Sequence, residues 1–298
     1  MPRPRLLSLV VAAALVATAL ALSATPARAP ADDQPYILAL GDSLAAGDQP
    51  DARGIDRPTP DGYVTVLARR LRRVYRGAKP VNLSCGGETT STILNRAGCE
   101  HEFGPGSQVQ QAERLLAARP GAVLVIVDVG DNDVERCVHT DGRGIDRACV
   151  ARGGATLEKN LPVIAQRIRA AAGPNVRVVG LTDYDQYLAL WLDGAQGRAD
   201  ARASVPVIDA LNAQMTRIYT AAGISVANAG DLFSTHAFSA RRPLPGHGTV
   251  PLAVERICRW TWACSDPPIG HDDHANAAGY RIIAQAILNR ISRPGGGP

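Results

Sequence analysis

The sequence predicts an α/β fold: a parallel sheet of five strands with helices on both faces. Short apolar runs of strand length alternate with longer segments of helical spacing from Tyr36 to Ile291, the pattern of parallel strands joined by helical crossovers. Residues 122–129 form a nearly continuous β-branched run, as expected of a strand covered on both sides.

Taken in order, residues 36–40 read as a buried first strand. Residues 62–75 have helical spacing, with Tyr63, Val66, Leu67, Leu71 and Val74 on one face and arginines opposite. Residues 81–84 follow as a second strand, and residues 107–118 as a helix stopped by Arg119-Pro120-Gly121. After the strand at 122–129 come a helix near 157–172, a strand at 176–181 and a helix near 206–222. A fifth strand at 224–227 and a last helix at 276–291 complete the alternation. Two stretches break it, residues 184–204 and the Pro-, Gly- and aromatic-rich residues 232–270. Loops of that length in a compact domain are functional or disordered. Leu188, Leu190, Trp191 and Leu192 read either as ordinary packing or as a lid or acyl-pocket wall.

Residues 1–31 read as an export signal rather than structure. Arg3 and Arg5 precede an apolar core at 6–22, and Ala29-Pro30-Ala31 offers an Ala-x-Ala cleavage site. Cleavage after Ala27 or Ala29, or an uncleaved membrane anchor, are the alternatives. Removal of 1–31 takes Arg3, Arg5 and Arg28 and no acid, so 29 bases face 28 acids and the net charge falls from +4 to +1. No basic block with interleaved aromatics remains, which argues against a nucleic-acid partner. The remaining domain is expected over 32–293, secreted and monomeric, with a disordered tail at 294–298. Six cysteines in an exported chain suggest disulfides. Sequence-local pairing is the simplest reading, each bridge contributing about 2–3 kcal/mol.

Four short segments carry polar groups suited to ester chemistry, and three of them follow predicted strands. Residues just past the carboxyl ends of neighbouring parallel strands share one crevice. Ser43, in Gly41-Asp42-Ser43-Leu44, would be a nucleophile once a base takes its proton; the plainer reading is a helix cap. The second glycine of the Gly-x-Ser-x-Gly elbow is Ala45 here, and no phosphate-binding loop is present. Gly87, with Gly86 beside it, would offer a backbone N–H to an oxyanion, or simply make a turn. Asn132, in Gly130-Asp131-Asn132-Asp133, would add a side-chain donor. The neighbouring aspartates do not form a calcium loop, because Val134 stands at the required glycine. His274, before the last helix, is the natural base. The run His271-Asp272-Asp273-His274 is alternatively a metal cluster, although adjacent ligands rarely converge.

These segments resemble the GDSL/SGNH hydrolase superfamily, specifically its exported actinobacterial lipase/esterase branch. Asn82-Leu83-Ser84-Cys85-Gly86-Gly87-Glu88-Thr89-Thr90 and Trp260-Thr261-Trp262-Ala263-Cys264 extend the resemblance over essentially the whole mature chain. It implies a flavodoxin-like three-layer α/β/α sandwich and no cofactor or metal. It also implies Ser43 as nucleophile, His274 as base, and an oxyanion hole of Ser43, Gly87 and Asn132. Disulfides Cys85–Cys99, Cys137–Cys149 and Cys258–Cys264 are implied in the same way. The chain departs from the pattern at the acid, since His271 occupies the usual aspartate position three before the histidine. Asp272 is the expected acid, a main-chain oxygen at His271 the alternative, and Asp273 is expected to point elsewhere. Gly86 replaces a frequent proline.

The expected activity is hydrolysis of carboxylic esters through an acyl-enzyme, with small-molecule or lipid esters as substrates and no stable membrane anchor after export. Fatty-acyl esters are favoured, with the leucine/Trp191 stretch and residues 233–252 shaping the acyl site. A carbohydrate acetyl esterase, a phospholipase and a non-catalytic exported binding protein are the rivals, because a fold does not fix a substrate.

Overall fold

Every residue of the first strand, Tyr36–Gly41 (β1), is buried, and its side chains alternate between two separate cores. Ile37 and Ala39 join Leu124, Ile126, Val179 and Leu181 on one face. Tyr36, Leu38 and Leu40 join Val125, Val127 and Val178 on the other. A strand's two-residue period divides a continuous apolar run in this way only when both faces are covered. The structure is a computed structural model describing residues 34–96 and 104–292. The expected export segment, the tail at 294–298 and Cys99 lie outside the described residues.

The remaining strands of the sheet are Lys79–Asn82 (β2), Ala122–Asp128 (β3), Arg177–Thr182 (β4) and Ser225–Asn228 (β5). They pair in parallel in the order β2-β1-β3-β4-β5, the flavodoxin-like order. The long helices are Tyr63–Leu71 (α1), Gln108–Ala118 (α2), Arg147–Ala172 (α3), Gly194–Ala221 (α4), Leu252–Trp260 (α5) and Ala277–Ile291 (α6). α1, α5 and α6 cover one face through Leu67, Ile257 and Ile283. α2, α3 and α4 cover the other through Val109, Leu161 and Leu211. Among the described residues no helix is long and apolar enough to cross a membrane.

Two helices start earlier than the sequence suggests. α3 begins at Arg147 rather than near 157, because Gly153 and Gly154 read as breakers. A Cβ at Gly153 would lie 2.1 Å from the Asp133 carbonyl oxygen, so the glycine permits a close approach to the loop carrying Asn132. α4 begins at Gly194 and runs through Pro206, which reads as a start signal. Residues 232–270 are also more regular than expected, containing α5 and a hairpin of Arg241–Leu244 with Gly248–Pro251. Residues 186–192 form a 3₁₀ helix, Gln186–Leu192. There Leu188 packs in a main core, and Tyr187 and Leu190 join a smaller cluster with Val138, Ala201 and Ile208. Bonds Cys137–Cys149 and Cys258–Cys264 are present.

Candidate active site

The carboxyl ends of β1 to β4 meet over a cavity of about 440 Å³. It opens where the strand order reverses, between β1 and β3, the place where ligands bind in open α/β sheets. Ser43, Gly86, Gly87, Asn132 and His274 line it together. Asp272 stands behind the imidazole.

Ser43 leaves β1 through Gly41, where a Cβ would fall 2.1 Å from the Asp128 carbonyl oxygen of the neighbouring strand. The Gln108 side-chain amide bonds both the N–H and the C=O of Gly41, each at 2.9 Å, fixing the turn. Asp42 caps the short helix Ser43–Ala46 by accepting from the Leu44 N–H. Ser43 is thus the first helical residue and not the cap, and its hydroxyl lies half-buried in the cavity.

The second loop carries Gly87 at φ 73°, a left-handed conformation that favours glycine, with open space where a Cβ would be. Gly86 lies against Ser43: its added Cβ would sit 3.9 Å from the serine Cβ and 3.1 Å from Asp48 Oδ2. The third loop places Asn132 on a 3₁₀ turn, Asp131–Asp133. Asp133 ties the second and third loops together, accepting from the Thr90 N–H at 2.9 Å and its hydroxyl at 2.8 Å. Among the described residues, neither the Gly87 N–H nor the Asn132 amide donates to another group of the chain. Both donors remain available for an anion.

His274 is 8 % exposed and pinned from two sides. The Trp262 N–H donates to its carbonyl at 3.0 Å, and Cys258–Cys264 closes the segment around Trp262. The Tyr184 hydroxyl, just past β4, donates to the Asp273 carbonyl at 2.7 Å. Asp272 Oδ1 receives both the His274 N–H, at 2.9 Å, and Nδ1, at 3.0 Å. Among the described residues, no main-chain oxygen shares Nδ1. Asp273, expected to point elsewhere, instead places Oδ1 3.6 Å from Nδ1 and lines the cavity; the tight bend Asp272–His274 turns both carboxylates back on the ring. Nε2, on the other side of the ring, is buried and has no hydrogen-bond partner among the described residues.

Burial alone would lower the His274 pKa, but the Asp272 bond and the charges of Asp273, Asp272 and Asp56 outweigh it and raise it to about 9. Burial likewise works against an ionised Asp272, yet its hydrogen bond to the His274 ring and the charge there hold its pKa below the ordinary value. At the strand ends the logic reverses. Burial first, and then the charges of neighbouring carboxylates, push Asp42, Asp131 and Asp183 well upward. Burial raises Asp128 to about 7 despite the Tyr63 hydroxyl bonded to it at 2.8 Å. Raised carboxyl pKa values lessen the negative charge that would oppose an oxyanion beside Asn132.

Asp48, Asp56, Glu135, Asp183, Tyr184 and Gln186 also line the cavity, and sequence reasoning did not single them out. Asp183 and Tyr184 follow β4, so the strand-end rule that found Ser43 and Asn132 would have found them too. Asp56 carries no such signal. Among the described residues, Asp56, Asp272 and His274 are the one group placed to hold a metal ion, with ligand atoms within 4.8 Å of one another. A metal there would compete for the Nδ1 that Asp272 already holds.

A sequence model of the GDSL-like lipase/acylhydrolase family matches residues 39–282. The fold is similar to that of phospholipase A1 from Streptomyces albidoflavus NA297, at 21 % identity and TM-score 0.57, covering 86 % of this chain and 99 % of that one. It is also similar to an extracellular lipase from Streptomyces rimosus, at 18 % identity and TM-score 0.54, again covering 86 % and 99 %. The lipase Lip_vut3 from a goat rumen metagenome superimposes at 15 % identity and TM-score 0.52, covering 86 % and 97 %. Comparison with curated proteins finds no match. With the family match spanning the loops that carry Ser43, Gly87, Asn132 and His274, the chain belongs to the GDSL-like lipase/acylhydrolase family and is a carboxylic-ester hydrolase.

Proposed function

We propose that this is an exported serine esterase acting on fatty-acyl esters, with Ser43 as nucleophile, His274 as base and Asp272 as the acid. The observation that carries this reading is the single cavity holding the serine, the imidazole and two uncommitted donors. Ser43 Oγ attacks the ester carbonyl carbon as His274 Nε2 takes its proton. Asp272 keeps the other ring proton on Nδ1 and faces the imidazolium that forms. The oxyanion sits among the N–H groups of Ser43 and Gly87 and the Asn132 amide. Collapse of the intermediate expels the alcohol, which receives the His274 proton. Water then repeats the attack on the acyl-enzyme and releases the acid.

Asn132→Ala is expected to lower kcat by about 10²–10³-fold, because its donor meets charge that develops only in the transition state. Steady-state kinetics on a soluble ester would check this, and a change confined to KM would remove Asn132 from the oxyanion hole.

The fatty-acyl reading is supported by a second cavity of about 380 Å³, in which Val138, Tyr187, Ala189, Leu190 and Ala263 form an apolar stretch beside the polar His139, Thr140, Asp141, Arg143 and His271. It shares Glu135, Arg136, Gln186 and Asp273 with the first. The first cavity suits the ester and its alcohol, and the apolar stretch of the second suits an acyl chain. Leu190 alone of the leucine/Trp191 stretch lines it. Trp191 packs instead against Phe238 and Arg202, and Phe233 is buried in the core. A series of p-nitrophenyl esters from acetyl through octanoyl to longer chains tests the assignment, with phospholipid as a separate arm. Octanoyl or longer esters are expected to give the highest kcat/KM. Turnover of acetyl esters alone would favour a carbohydrate esterase and overturn the fatty-acyl reading.

A further inference from the structure

We propose that Asp56 is a positioning residue that sets the pH at which His274 can act, by placing a second carboxylate at Nδ1 from an element separate from the histidine loop. The inference rests on the reading of His274 as the base. Asp56 begins the outer strand of a small hairpin, Asp48–Pro50 with Asp56–Pro58, in which it pairs with Pro50. Its Oδ1 lies 3.5 Å from His274 Nδ1, beyond the Asp272 hydrogen bond at 3.0 Å but within direct charge range.

The approach is built into the fold. The Tyr280 hydroxyl, on α6, donates to the Asp48 carbonyl at 2.7 Å, and Trp262 Nε1 donates to Gln49 Oε1 at 3.3 Å. Trp262 also holds the His274 carbonyl through its own N–H, so one residue fixes both the hairpin and the imidazole. The Thr59 N–H closes the hairpin base on the Gly47 carbonyl at 3.0 Å. The arginine next in sequence does not neutralise Asp56, because Arg57 Nε turns to Asp51 at 3.5 Å.

The groups facing the imidazole are acidic on every side. Asp272 and Asp273 come from its own loop, Asp48 and Asp56 from the hairpin, and Glu135 from the segment after β3. Among the described residues, Arg136 is the one cationic side chain besides His274 lining the cavity, and it is exposed. Burial and the Asp272 carboxyl push Asp56 up to about 6, while His274 sits at about 9. Asp56 is therefore ionised over the range in which His274 loses its proton. Its charge favours the imidazolium, the form that cannot accept the serine proton, so it delays activity to higher pH. Asp272 sets the ring's orientation; Asp56 adds its charge to those of Asp273 and Asp272 in favouring the imidazolium.

The test is the pH dependence of kcat/KM in Asp56→Asn and Asp56→Glu, read beside the ring-proton NMR titration of His274. In Asp56→Asn the acid limb and the His274 titration are both expected to move down by about 1 pH unit, the low end for a partly exposed carboxylate at this range. Relative to its alkaline plateau, kcat/KM at pH 7 then rises by roughly tenfold. Asp56→Glu is expected to keep the limb near the wild-type position. An Asp56→Asn protein that stays folded with limb and titration unmoved overturns the proposal. The titration reads Asp56 whether or not any ester is turned over, so an inactive wild-type protein would sink the esterase reading and leave this one standing on its own measurement.

Discussion

Ser43→Ala is expected to abolish ester hydrolysis, with kcat falling by about 10⁶-fold, and to abolish covalent labelling by a fluorophosphonate. Thermal stability is expected to change by less than about 0.5 kcal/mol. The separation follows from the local structure. A serine before a helix is ordinarily a cap whose loss costs about 1 kcal/mol, but here Asp42 performs that task by accepting from Leu44. Ser43 is already inside the turn, where alanine is the best helix former, and among the described residues its hydroxyl bonds nothing. The hydroxyl therefore contributes to chemistry and not to the fold. Labelling of the wild type, calorimetry of both proteins and a kinetic assay check the three parts together. A wild-type protein that never labels favours the non-catalytic binding protein; a variant that loses stability in step with activity returns Ser43 to a structural role.

Three of the parts of the site that were legible in the sequence sit on one geometric rule, and His274 was read from its chemistry before the last helix. Ser43, Gly87 and Asn132 each follow an apolar run, and parallel strands deliver whatever follows them to a common rim. The runs were readable because coverage on both faces keeps β1 and β3 apolar up to their last residues. What stayed hidden depends on contacts distant in sequence. Gly153 looks like a helix breaker until the Asp133 carbonyl is seen 2.1 Å from where its Cβ would be. Asp56 lies in a polar turn with no periodicity, and its role comes from a hairpin pinned by Trp262 and Tyr280 more than two hundred residues along the chain. α5 was concealed by the prolines, glycines and aromatics around it, although Ala253, Val254 and Ile257 keep helical spacing and are buried. Patterns of period and strand end are local, whereas charge placement around an imidazole is tertiary.

The acid and base separate most clearly in a graded series at His274 and Asp272. His274→Ala is expected to lower kcat by about 10⁵–10⁶-fold and to erase the acid limb of the pH profile, since the imidazole is the base that takes the Ser43 proton. Asp272→Ala is expected to cost less, about 10³–10⁴-fold, because the imidazole remains but loses the acceptor that fixes its tautomer. Asp272→Asn should fall between wild type and Asp272→Ala. One oxygen, Oδ1, receives both the His274 N–H and Nδ1, and an asparagine oxygen can accept the same two bonds without the charge. A loss below tenfold in Asp272→Ala would give the orienting role to a main-chain oxygen instead. The same imidazole links activity to stability. Its folded-state pKa of about 9 lies above the ordinary 6.5, so its favourable contribution is complete below pH 6.5 and is lost as pH rises through about 9. The deprotonation that makes His274 a base therefore removes part of what holds its loop. Wild-type thermal stability is expected to decline across that interval, and in His274→Ala the decline should disappear together with the acid limb.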